Sequence, residues 1–225
     1  MLIDVIRGDS VTWANVIIRV ISCMAVIFIT MPIHEFAHSF VAYKLGDISQ
    51  KYSGRLMLNP FAHIDYWGAL FIILFGFGWA KPVNVNSCNF KNHKRDMAIT
   101  ALAGPIANLV MAFVCMFLYN ALWFIAFQTA IATFAYIANV CYFVALINVS
   151  LAVFNLIPCP PLDGSKILAM FLPNRLYYKF MQYEQYFYYI SILLIMTGLL
   201  DRPINFLVSY VLGAFSVVTG LPFGL

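Results

Sequence analysis

Two long uncharged apolar runs joined by almost nothing constrain this chain more than any other feature. Residues 97 to 127 carry no charged side chain, residues 130 to 158 carry none, and only Gln128 and Thr129 separate them. Each run exceeds the roughly 20 residues that a helix needs to cross hydrocarbon. Lipid offers no hydrogen bonds to a backbone, so such runs must fold as helices. The short connector makes the two antiparallel neighbours. Only 10% of the residues are charged and 63% are hydrophobic, whereas soluble domains carry about a quarter charged residues.

The other segments extend this plan. An apolar stretch from Val11 to Leu45 would form a helix of about 50 Å, so part of it must project or tilt. Arg19 near its start can snorkel to an interface, Pro32 should kink or loosen it, and Gly46-Asp47 is a stop signal. The N-terminus lacks a basic region leading to a small-residue cleavage site, so this first helix is expected to be retained. Tyr66 to Trp79 is too short to span and reads as re-entrant or interfacial. After it, Val83 and Val85 alternate with Asn84 and Asn86, a strand-like period. An apolar run at 185–200 precedes Asp201-Arg202-Pro203, and 204–221 is a further candidate, either spanning or interfacial. The expected fold is an all-α polytopic membrane protein, a single membrane domain over 1–225. It has a three-helix core (about 11–170), a re-entrant or β-like element (about 66–90) and one or two further helices (about 183–221).

A net charge of +4 is too small and dispersed for a nucleic-acid partner. Its distribution speaks to topology instead. Lys44, Lys51, Arg55, Lys81, Lys91, Lys94 and Arg95 fall in one loop region, and Lys166, Arg175 and Lys179 in another. The positive-inside rule then makes both cytoplasmic and puts the N-terminus outside. The five cysteines are odd in number and scattered, which speaks against a disulfide framework or a zinc knuckle. Cys159 is notable only for lying four residues from Asp163.

Within the first helix lies His34-Glu35-Phe36-Ala37-His38. Positions i and i+4 share a helix face, so both imidazoles can point at one ion, with Glu35 beside them to act on a bound water. Ionisable groups inside a spanning helix are expensive, and three together imply a partner, for which a divalent cation is the most economical choice. A catalytic zinc site wants a third protein ligand and an open position. The soluble patterns fail: Val41 and Lys44 stand where a metzincin needs glycine and histidine, and no acid lies between Asp47 and Asp65. Asp65, Asp163 and Glu184 remain. Asp163 follows Asn155-Leu-Ile-Pro158-Cys-Pro160-Pro161-Leu at the end of an uncharged span. It reads equally as a metal ligand or as the cap of a new helix. His63 and Asp65 read equally as neighbours of the site or as turn-bonding groups.

Taken in order, HEFAH at 34–38, NPFAHID at 59–65, GWAKPVNVN at 78–86, ALAGPIAN at 101–108 and NLIPCPPLDG at 155–164 resemble the site-2 proteases, intramembrane zinc metalloproteases. The likeness is to small prokaryotic-type members without PDZ or CBS domains. It implies that zinc is held by His34, His38 and Asp163, with Glu35 as catalytic acid/base. It further implies that Asn155 binds substrate, that Gly104, Pro105 and Asn108 pack the middle core helix near the site, and that the stretch containing Val83 and Val85 aligns unwound substrate. The substrate would be a transmembrane protein, cut within the bilayer nearer its cytoplasmic face. Ser165-Lys166 departs from the Gly-Arg found in many members. Two rivals stand beside this reading: a membrane metal carrier using the same ligands, and an inactive relative that binds transmembrane helices.

Overall fold

The computed structural model describes residues 12–75, 81, 83–173, 175, 176, 179, 182, 183, 186 and 197–224. Four helices among them are long and apolar enough to cross a membrane. The first, α1 (Trp13–Lys44), changes its winding midway. Trp13–Ala25 and Met31–Lys44 are α-helical, and Val26–Thr30 between them is a π-helical turn. Pro32 is the cause expected from sequence: it has no N–H to offer the carbonyl one turn back. The ladder absorbs the defect by widening, and Met31 N–H reaches the Val26 carbonyl, five residues behind.

Short helices follow at α2 (Ser49–Tyr52), α3 (Pro60–His63) and α4 (Tyr66–Phe75). Asn59 starts α3 by accepting from Phe61 N–H at 3.1 Å, and Asp65 starts α4 by accepting from Gly68 N–H at 2.9 Å. That turn role accounts for Asp65. The ten described residues of α4 give it about 15 Å, about half the hydrocarbon thickness. The long spans are α5 (His93–Thr129) and α6 (Ala132–Asn155), antiparallel across a turn in which Ala130 takes a left-handed φ of 55°. α7 (Asp163–Phe171) is short. α8 (Asp201–Gly220) is a helix long and apolar enough to cross a membrane, and it covers the 204–221 candidate. Of the apolar run at 185–200, only residues 186 and 197–200 are among the described residues.

α5 is the hub, packed against α1, α6, α7 and α8. Ala98, Ala101, Gly104 and Ala112 are buried along it, and such small residues let helix backbones approach closely in lipid. The core joins Cys23, Val26, Ile27 and Met31 of α1 to Ala112, Cys115 and Met116 of α5 and Val144, Ala145 and Val149 of α6. Ile106, Val110, Val114 and Phe117 point outward from α5, a surface suited to hydrocarbon rather than water. None of the five cysteines forms a disulfide among the described residues.

One expectation needs correction. No strand forms among the described residues, and 83–86 is irregular. The reason is in its partners: side chains, not a neighbouring backbone, take up these groups. Val83 N–H goes to Glu35, Asn84 C=O to Gln50 and Asn86 N–H to Asp47.

Candidate metal centre

The C-terminal half of α1 carries His34, Glu35 and His38 just beyond the π turn. One helical turn apart, the two imidazoles meet with Nε2 atoms 3.0 Å from each other and ring planes nearly perpendicular. Asp163, the first residue of α7, brings Oδ2 to 3.1 Å from His38 Nε2 and 3.6 Å from His34 Nε2. His38 and Asp163 are buried and His34 nearly so. These three residues form the one group of potential ligands found among the described residues.

Do the residues fit zinc? Ligand atoms about 2.1 Å from a tetrahedral ion lie about 3.4 Å from one another, and the three observed separations bracket that value. Hydrogen-bond chemistry gives an independent test. Thr100 C=O accepts from His38 Nδ1–H at 2.8 Å, so in the neutral ring Nε2 carries a lone pair. That lone pair faces a carboxylate oxygen and a second imidazole nitrogen. Acceptors converging in a buried site need a cation among them. Two imidazoles and one carboxylate form a donor set that suits zinc and leaves its fourth position open.

The surroundings of Asp163 bear on its two readings. The N-cap of α7 is Leu162, and no side chain caps this helix. The Asp163 carboxylate instead turns Oδ2 to the histidines and Oδ1 to Lys166 Nζ, 3.2 Å away. Lys166 is substantially exposed, so its hold is weak. Gly164 explains how the chain can make this turn: a Cβ there would sit 2.3 Å from Leu156 O and 2.4 Å from Ile157 O. Only glycine lets the start of α7 tuck against the end of α6.

Gly104 has the same kind of reason. A Cβ on it would meet His38 Nε2 at 2.3 Å and His34 Cε1 at 2.5 Å. The absent side chain is the space in which the imidazoles stand. Thr100 and Gly104 are four residues apart on α5, so one face of that helix both clears room for the histidines and orients one of them. Sequence reasoning missed Thr100, because a backbone carbonyl 62 residues away has no sequence signature.

Glu35 is buried, and its Oε2 accepts from Val83 N–H at 3.2 Å. Val83 is thus brought to the site through its backbone. Among the described residues, no hydrogen bond joins Asn108, Asn155 or Val85 to the three donors. Asn108 is buried one turn beyond Gly104, with Oδ1 unpartnered among the described residues. Asn155 donates back to Leu151 C=O at 2.9 Å on its own helix. Val85 is partly buried beside Val83. Glu184 lies outside the described residues, as does the side chain of His63.

The model of the family described as "Peptidase family M50" matches residues 22–198 of this chain. A protein named "Putative zinc metalloprotease YwhC", from Bacillus subtilis, is 37% identical over 179 residues, 77% of this chain and 79% of that one. "Putative zinc metalloprotease Rip2" of Mycolicibacterium smegmatis is 30% identical over 181 residues, 77% of this chain and 66% of the relative. The Rip2 of Mycobacterium tuberculosis is 30% identical over 168 residues, 71% of this chain and 60% of the relative. No solved structure matches the chain.

Proposed function

The chain belongs to peptidase family M50, and on that premise we propose that it is an integral-membrane zinc metalloendopeptidase acting on transmembrane proteins. It hydrolyses their peptide bonds within or at the edge of the bilayer. His34, His38 and Asp163 hold the metal, and Glu35 is the acid/base. The observation that carries this reading is the convergence of two Nε2 atoms and one Oδ2, from helices far apart in sequence, on a single point between apolar helices.

Zinc bound there supplies a Lewis acid that polarises the scissile carbonyl and acidifies a water. The chain's own groups do the rest. Glu35 is one residue from His34, so it faces the reacting atoms without being a ligand. Its Oε2 is held by Val83 N–H, which leaves Oε1 to take the water's proton and deliver it to the leaving nitrogen. Thr100 C=O keeps the His38 proton on Nδ1 and so keeps Nε2 on the metal side. A helical peptide bond is shielded by its own backbone bonding, so the substrate unwinds. Backbone of Val83 and Val85 and the carboxamide of Asn155, with Asn108 behind, hold the extended segment. The Val83–Glu35 bond supports this assignment, since it puts a partly buried, irregular stretch of backbone beside the acid/base.

The topology that goes with this reading has the N-terminus outside and the site nearer the cytoplasmic side of the cell membrane. Its support is the basic residues of 44–96 and 159–182. His34 lies ten residues before Lys44, about 15 Å of helix.

The test is zinc stoichiometry together with cleavage of a generic single-span substrate by purified protein. Wild type should carry one zinc per chain, and His34→Ala and Asp163→Ala should lose it. Glu35→Gln should keep the zinc and lose cleavage by about a hundredfold or more. A metal carrier would be indifferent to a substitution beside its ligands, and an inactive relative would hold zinc and cleave nothing. A wild type without stoichiometric zinc would refute the proposal.

A further inference from the structure

A second buried polar cluster lies where α1 hands over to α2. Gly46 turns the chain with φ +117° and lies so close to Asn89 O that a Cβ would be 3.1 Å from it. Asp47 next to it is fully buried. A carboxylate in that position is costly unless its lone pairs are used, and all of them are. Oδ1 accepts from Ser49 N–H at 3.3 Å, Ser49 O–H at 2.6 Å and Asn89 Nδ2 at 2.7 Å. Oδ2 accepts from Gln50 Nε2 at 2.8 Å and Asn86 N–H at 2.9 Å. Gln50, also buried, donates a second time to Asn84 C=O at 2.9 Å. Burial alone would raise the Asp47 pKa, but the donors from Ser49, Asn89, Gln50 and Asn86 bring it down to about 2, so the group is charged.

Closing the turn at α2 needs only Ser49 and Gln50. The bonds to Asn84, Asn86 and Asn89 do something else: they tie a segment some forty residues away to the end of α1. Val83 is the residue immediately before Asn84, and its N–H is the partner of the Glu35 carboxylate. Fixing Asn84 and Asn86 therefore fixes the position of that donor to within a peptide unit. None of the ties passes through His34, His38 or Asp163, so the metal donors do not depend on them.

We infer that Asp47 and Gln50 are positioning residues for hydrolysis: they clamp residues 84–89 to the end of α1 and so hold Val83 N–H on the Glu35 carboxylate. This rests on the protease reading above. The clamp sets the orientation of the acid/base relative to the water and the backbone against which substrate is laid.

The experiment uses the full chain in lipid nanodiscs, with Asp47→Asn and Gln50→Ala. Zinc per chain, hydrogen exchange and the separate kcat and KM for a single-span substrate are read together. The clamp requires unchanged zinc and exchange faster by about tenfold at 83–89, with α1 and α5 as protected as before. It also requires kcat to fall by about tenfold or more while KM moves by less than about threefold, because a displaced donor misaligns the reacting groups. Gln50→Ala keeps the Asp47 carboxylate and its other donors, so it carries the test if Asp47→Asn fails to fold. Faster exchange with unchanged kcat would overturn the inference, as would unchanged exchange or loosening spread through α1 and α5. A wild type lacking zinc and cleavage would instead sink the protease reading, while the exchange arm would still show whether the clamp holds its segment.

Discussion

Adding one carbon to Gly104 tests the packing of the candidate metal centre without altering the chemistry of any group proposed to bond the metal. In Gly104→Ala the new Cβ would lie 2.3 Å from His38 Nε2 and 2.5 and 2.6 Å from His34 Cε1 and Nε2. Ordinary contacts need about 3.5 Å, so α5 and the imidazoles must separate by about 1 Å. Zinc–ligand distances tolerate only about 0.2 Å, and the tie from His38 Nδ1 to Thr100 C=O on the same helix opposes the shift. Overpacking of this kind costs roughly 1–3 kcal/mol. Taken from the bound state, that is a loss of about tenfold to a hundredfold in zinc affinity. Competition against a chromophoric chelator of known affinity measures it, with helix content checked by circular dichroism. Cleavage should fall in parallel at limiting zinc. If Gly104→Ala binds zinc within about twofold of wild type, the space in front of Gly104 is not what the histidines require, and the reasoning is wrong.

Two further outcomes follow from interactions away from the metal. Asp47 has its pKa lowered in the folded protein to about 2, so the stability it contributes is fully present above its unfolded value and is lost as pH falls through the folded one. The stability gap between wild type and Asp47→Asn should shrink by about 2 kcal/mol as pH drops from about 5 toward about 2; a gap constant across that window in thermal melts contradicts this. Asn120 donates to Thr219 Oγ1 at 2.7 Å and Ser216 C=O at 3.3 Å, joining α5 to α8. Asn120→Ala should loosen that docking by about 1 kcal/mol in an unfolding titration. Zinc content should not change, because the site is several helical turns away.

Much of the fold was legible because hydrophobic runs are a one-dimensional signal. The spans at 97–127 and 130–158 reappear as α5 and α6, and the Val11–Leu45 stretch as α1. Pro32 foretold a loosened ladder, though not that it would take the form of a π turn. The strand-like reading of 83–86 failed because alternation reports which faces differ, not whether a partner strand is present. The partners here are Glu35, Asp47 and Gln50, all distant in sequence. The histidine pair was readable from spacing; spacing alone left Asp163 even with a helix cap, the family resemblance favoured it as a ligand, and the structure turns its carboxylate toward Nε2 of His38.

By itself the sequence determined that this chain lives in a bilayer as helices, and that one of them bears two imidazoles one turn apart with a carboxylate next to the first. Both follow from local periodicity and from the cost of polar groups in hydrocarbon. Only the tertiary structure showed which carboxylate approaches the histidines, that a Cβ on Gly104 or Gly164 would collide with its neighbours, and that Asp47 bonds a remote segment whose Val83 N–H meets Glu35. Each of those is a contact between residues dozens of positions apart, set by how helix surfaces meet, and nothing in a string of neighbours records the clearance between two packed backbones.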